Sequence, residues 1–265
     1  GGQFANSGGA ARANLVAIDR TTALATSWNP GASSVVRALA VYGGNVYAGG
    51  QFATLGGQSR FRLGAVSAAT GLATTWNPAA GGNVFALALD GNTLYVGGNY
   101  FSMNALSRFH LSAWDLTSHT LTSWDPSANG QVLSLATLGG RVYIGGSFST
   151  MGVSARSRAA AVDGITGAVA AWDPNASSTV LSIAAVPDHV YLGGSFTSIG
   201  GTPRQNVAAV DDVNGALNPG WDPSSAGGYS LLVADGKVII GGISSLRRYD
   251  GASSLVDVPS VHDET

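Results

Sequence analysis

Five tryptophans are each followed by an asparagine or aspartate and then a proline: Trp28-Asn29-Pro30, Trp76-Asn77-Pro78, Trp124-Asp125-Pro126, Trp172-Asp173-Pro174 and Trp221-Asp222-Pro223. Set in equivalent turns, the side chains of Asn29, Asn77, Asp125, Asp173 and Asp222 supply oxygen ligands of the kind a hard cation takes. Calcium at Asp125, Asp173 and Asp222 is the metal site this pattern allows. The alternative is that each side chain caps its own proline-containing turn. A second group is the run Asn99-Tyr100-Phe101-Ser102-Met103. Exposed, Tyr100 and Phe101 would stack on a sugar ring or grip a partner; buried, they would fill a gap between packed layers. His110 follows shortly after, where equivalent positions carry Asn or Arg. His110 and His119 stand at opposite ends of one expected strand, ~20 Å apart at ~3.3 Å per residue, too far to share a metal. His189 falls in a turn and His262 in the C-terminal tail. Serines are plentiful, but no nucleophile elbow precedes a helix, and no glycine-rich loop opens one to cradle a phosphate.

These residues recur because the chain does. Gly-Gly occurs at 1–2, 49–50, 97–98, 145–146, 193–194 and 241–242, a step of 48 each time. An apolar pair precedes it at Val46-Tyr47, Leu94-Tyr95, Val142-Tyr143, Val190-Tyr191 and Val238-Ile239. Arginine keeps the same step at Arg12, Arg60, Arg108, Arg156 and Arg204. Within one repeat the local signals predict four short strands, at 36–41, 46–52, 63–67 and 72–76. Gly43-Gly44-Asn45, a Gly56-Gly57 loop and Thr70-Gly71 connect them, and Asn77-Pro78 ends the last. No window carries a helical apolar period. Four strands per 40–50 residues is the pattern of a β-propeller blade.

The expected fold is therefore an all-β propeller, a single domain over residues 1–257 with a C-terminal tail at 258–265. Its blades are expected near 1–30, 34–78, 82–126, 131–174, 180–223 and 229–257. Six blades are favoured, the first incomplete. The alternative is five, with residues 229–243 completing the blade begun by residues 1–28.

Repetition also sorts the acids. Asp19, Asp115, Asp163, Asp211 and Asp250 end third strands; Asp90, Asp188 and Asp235 sit in turns between first and second strands; Asp125, Asp173 and Asp222 follow tryptophans. Asp212, Asp257, Asp263 and Glu264 remain. A glycosidase needs two carboxylates about 5–10 Å apart across one bond, and no unique pair in the body of the chain meets that need. The arginines are expected to pair with an acid or with loop carbonyls, and the tryptophans to dock in the core.

The run Ala161-Val162-Asp163-Gly164-Ile165-Thr166-Gly167, ending at Trp172, resembles the tryptophan-docking motif of pyrroloquinoline-quinone-type propellers. Residues 65–76 match with Ser67 in the Asp place, and residues 209–221 match with Asn214-Gly215. Residues 191–201 resemble repeats of secreted bacterial propellers labelled quinone-like or delta-sixty. The resemblance spans nearly the whole chain and implies a propeller at the cell surface or outside the cell. It does not extend to quinone chemistry, because the cysteine pair and the glutamate calcium ligand of cofactor-using members have no counterpart here. No cofactor is expected apart from the calcium just described.

Composition bounds the function. The 265 residues include 13 basic and 15 acidic side chains, for a net charge of −2. Such a balance lacks the electrostatic footprint of a nucleic-acid binder. The absence of cysteine excludes a disulfide framework, a thiol nucleophile and thiolate zinc sites. No apolar run is long enough to predict a membrane-spanning helix. The favoured reading is a non-catalytic scaffold or protein-interaction module of a secreted or cell-surface bacterial protein, its partner an unidentified protein or glycan. A carbohydrate-binding propeller is the alternative, and a polysaccharide lyase or hydrolase the second alternative.

Overall fold

The computed structural model describes residues 1–223, 230–242, 246–251 and 255–256. The positions of Tyr229, Ile243, Asp257, His262, Asp263 and Glu264, and with them the tail at 258–265, lie outside the described residues. The described residues form strands, turns and loops, with no helix. They fall into two compact units, Gly1–Asp125 and Pro126–Thr265.

In the first unit, strands Val36–Tyr42, Asn45–Gly50 and Leu63–Ser67 form an antiparallel sheet in chain order. The next repeat builds a four-stranded sheet from Asn83–Asp90, Thr93–Asn99, Leu111–Asp115 and Thr120–Leu121. In the second unit two three-stranded sheets follow: Val132–Leu138, Arg141–Gly146 and Ala159–Asp163, then Val180–Val186, His189–Gly194 and Val207–Asp211. Strands Ser230–Ala234, Lys237–Gly241, Leu246–Asp250 and Leu255–Val256 make a further four-stranded sheet. Residues 15–19 make only an isolated bridge, Ile18 with Ala25.

The Gly-Gly pair has a steric cause. A Cβ on Gly49 would lie 2.5 Å from Val84 Cγ1 of the next repeat's first strand, and one on Gly50 would lie 2.1 Å from the Val35 carbonyl oxygen. The first glycine thus lets adjacent sheets approach, and the second lets the first strand bulge between Val36 and Ala38. Each core cluster accordingly draws on two successive repeats. Tyr47, Leu63, Ala65 and Trp76 pack with Val84, Leu94 and Val96 in the first unit, and Tyr143 and Trp172 with Val180, Val190 and Leu192 in the second. In four repeats the second-strand tyrosine meets the tryptophan edge to face, at 5.2 Å for Tyr47–Trp76 and for Tyr143–Trp172.

Two features depart from the expected four strands. The fourth strand shrinks to one bridge in most repeats, as between Val66 and Ala73. Just past that bridge Arg60 Nη2 donates to the Thr74 carbonyl, and the Thr74 hydroxyl oxygen accepts the Trp76 N–H at 3.3 Å. Arg108 and Thr122 make the same bonds beside the third repeat's two-residue strand Thr120–Leu121. In place of the Gly56-Gly57 loop there is a two-residue-strand hairpin, Thr54–Leu55 with Gln58–Ser59. Its turn needs φ of 58° and 79° at Gly56 and Gly57, which glycine supplies without strain.

Candidate functional site

The recurrent charged residues are held inside their own repeats. Arg108 donates from Nη1 to the Ser107 carbonyl at 2.8 Å and from Nη2 to the Thr122 carbonyl at 3.0 Å. Arg12, Arg60 and Arg156 make the same pair of bonds. Arg108 also faces Asp125 at 3.5 Å, Arg156 faces Asp173 at 3.9 Å, and Arg204 pairs with Asp222. Arg12, Arg60, Arg108 and Arg156 therefore meet main-chain carbonyls, and Arg108, Arg156 and Arg204 also face the acid after the tryptophan of their own repeat. Asp173 also accepts the Asn175 N–H at 3.2 Å, capping its own turn. Among the described residues no group of three or more His, Asp or Glu side chains lies close enough to hold a metal. Asp125, Asp173 and Asp222 are each engaged by the guanidinium of their own repeat. Asn29 is exposed and Asn77 lies at the equivalent turn.

The aspartates that end third strands are acceptors for the turn that follows. Asp163 Oδ1 takes the Ile165 N–H at 3.0 Å, the Thr166 N–H at 2.7 Å and the Thr166 hydroxyl at 2.8 Å. Asp19 and Asp115 do the same with Thr21 and Thr22, and with Thr117 and Ser118. These bonds stabilise the ionised form and hold Asp19, Asp115 and Asp163 below the usual carboxylate range. Trp28 and Trp172 reach the same place in the following repeat, donating from Nε1 to the carbonyls of Ser67 and Asp211 at 3.0 and 2.8 Å.

The third repeat's unusual residues separate. Of the two readings open for Tyr100, an exposed ligand-gripping ring or a buried gap-filler, the second holds: it is fully buried. Its hydroxyl donates to the Val96 carbonyl at 2.8 Å and accepts from Ser112 at 3.0 Å, so the core can hold it. Burial raises its pKa far above the ordinary value. His110 is also buried, with Nδ1 donating to the Gly98 carbonyl at 3.2 Å, and burial lowers its pKa. Phe101 remains exposed, edge to face with Phe109 at 6.0 Å and with His110 at 5.1 Å. Tyr100 and His110 are thus structural, and Phe101 with Phe109 forms the exposed aromatic pair. Phe109 was missed in the sequence; the signal was Phe61, exposed at the same register one repeat earlier.

The first repeat holds a second feature that sequence reasoning missed. An open groove of about 700 Å³ is lined by Gln3, Phe4, Arg12, Asn14, Asn29 and Ser33.

The strands, the tryptophan docking and the shared cores define an all-β, propeller-like protein. No protein-family model matches the chain, and no curated protein matches it. Among solved structures it is similar to the WD40 β-propeller domain of Doa1, with a TM-score of 0.62 and 15% identity over 88% of this chain and 71% of that one. It is similar to the computationally designed Ika8 protein, with a TM-score of 0.53 and 15% identity over 86% and 74% of the two chains. The extracellular domain of BT4673 from B. thetaiotaomicron gives a TM-score of 0.56 at 16% identity, over 87% of this chain and 28% of that one. These likenesses concern the fold. No helix among the described residues is long and apolar enough to cross a membrane.

Proposed function

We propose that the chain is a six-bladed propeller of the tryptophan-docking kind, its first blade incomplete, serving as a non-catalytic interaction module of a secreted or cell-surface bacterial protein. The observation that carries this reading is the use made of its polar groups. The repeated arginines and the acids after the tryptophans pair with one another or with main-chain groups of their own repeat. The strand-ending aspartates close turns. Chemistry needs a side chain held for a substrate, whereas these are held for the fold. The four-stranded sheet over residues 230–256 supports a separate last blade. The low charge and the serine- and threonine-rich loops suit an extracellular setting.

The test combines labelling with turnover. Tagged chain on intact cells should be reached by a membrane-impermeant label and should crosslink to one partner in fixed proportion. The purified chain should leave a panel of polysaccharides intact with calcium present. Turnover abolished by one side-chain substitution would overturn the reading in favour of an enzyme. Glycan-array binding lost on Phe101→Ala with Phe109→Ala would favour the carbohydrate-binding alternative, which rests on that exposed pair.

A further inference from the structure

The five arginines at one register serve as controls for one another. Arg108, Arg156 and Arg204 each face the carboxylate that follows the tryptophan of their own repeat. Arg12 and Arg60 make the same two carbonyl bonds, but the acid position holds Asn29 or Asn77. Among the described residues neither pairs with a carboxylate. An arginine carries five N–H donors and a permanent charge. The buried Nε is without a hydrogen-bond partner in all five, so what differs between the repeats is the carboxylate. The Arg12 guanidinium therefore lacks the anion that three of its counterparts possess.

What lies beside that guanidinium also differs between repeats. Ala5 and Ala13 both line the groove at Arg12. The same two registers hold Phe101 and Phe109 in the third repeat, and Ala53 and Phe61 in the second. Only in the first repeat do two alanines coincide with a missing acid. The result is the open groove of about 700 Å³ with one cation in its wall and the exposed side chains of Gln3 and Asn29 at its sides.

We infer that this groove binds an acidic peptide segment of a partner protein, an Asp or Glu carboxylate of that segment lying beside Arg12 and Asn29 and supplying the charge that Asp125 supplies to Arg108. The inference rests on the interaction-module reading and names its partner's chemistry. Charge complementarity argues for it: the chain itself shows three times how this arginine register is neutralised, each time by a carboxylate on a peptide. The amides of Gln3 and Asn29 match the main-chain groups that flank such a side chain. A charged sugar fits less well, because the groove's one aromatic, Phe4, is half-buried and gives a ring little to stack on.

The experiment is fluorescence anisotropy with a labelled Gly-Asp-Gly-Glu-Asp-Gly peptide and its Asn/Gln counterpart, on the full chain. The acidic peptide should bind at least about tenfold more tightly than the neutral one, and less tightly as salt is added. Asn29→Asp, which installs the acid of the later repeats, should weaken binding about tenfold or more without lowering the melting temperature. Ala13→Phe, which installs the second repeat's side chain, should do the same by volume. Equal binding of the two peptides, or binding indifferent to Asn29→Asp, would overturn the inference. Displacement by oligogalacturonate at lower concentration than by unlabelled peptide would assign the carboxylate to a sugar and overturn the peptide. A cell-surface partner crosslinked equally by wild type and Asn29→Asp would remove the groove alone; no partner at all would remove the module.

Discussion

Tyr100 and Ser112 depart together from the other repeats, which pair Phe52 with Gly64, Phe148 with Ala160 and Phe196 with Ala208. Both are fully buried, and their hydroxyls satisfy each other. Removing the Tyr100 hydroxyl strands that of Ser112 in the core, which costs about 1–2 kcal/mol, whereas removing the Ser112 hydroxyl leaves Tyr100 donating to the Val96 carbonyl; removing both restores the arrangement of the neighbouring repeats. We expect Tyr100→Phe to destabilise by about 1–2 kcal/mol and Ser112→Ala by less, and the double variant by less than the sum, with a coupling of about 1 kcal/mol. Chemical denaturation of the four proteins measures it, and strict additivity would refute it. The sequence marked Tyr100 as unusual but left its burial open, because the hydroxyl that makes burial tolerable lies 12 residues away, across the ladder between Thr93–Asn99 and Leu111–Asp115.

At the scale of the element, the Gly-Gly register and the apolar pair before it were legible as the end of a second strand, and the third strand at 63–67 was read to the residue. The short hairpin and the reduced fourth strand were not. The hairpin is held in part by a side chain from a distance, Ser33 Oγ accepting the Ala53 and Thr54 N–H groups at 2.9 and 3.0 Å. Two kinds of glycine can be told apart by substitution. A Cβ on Gly146 would lie 2.0 Å from the Gln131 carbonyl oxygen, which belongs to backbone and cannot swing away. Gly140 has φ of 75° with open space around it. Gly140→Ala should therefore cost about 1 kcal/mol through the backbone alone, and Gly146→Ala about 3 kcal/mol or more through displaced strands. Thermal melts decide the order, and equal losses would contradict the steric account of the repeat.

For the whole molecule, the relevant quantity is how repeated small terms add with pH. Asp19, Asp115 and Asp163 each accept turn N–H groups, and each titrates below its ordinary value of 3.8 in the folded chain. A depressed acid contributes stability above its unfolded pKa and loses it as pH falls through the folded one. His110 adds to the same limb at higher pH. Burial lowers its pKa from 6.5, so the unfolded chain takes up its proton first and stability falls as pH drops below that value. The melting temperature should then be level only between about pH 8 and 9. It should fall above about pH 10, where the unfolded chain ionises tyrosines that burial keeps neutral in the fold. It should decline gently below about pH 8, as the N-terminal amine and then His110 bind protons in the unfolded chain, and fall more steeply below 3.8. The steep part can be isolated, because the second repeat already runs the same turn on a neutral acceptor: Ser67 Oγ takes the N–H groups of Ala69 and Thr70 at 3.2 Å. Replacing Asp19, Asp115 and Asp163 together by Asn keeps an acceptor at each turn and removes its titration. That variant should keep the gentle decline due to the N-terminal amine and His110 and lose the steeper fall below pH 3.8. A limb as steep as wild type would mean that acid sensitivity arises elsewhere, and that the turn carboxylates act only as geometry.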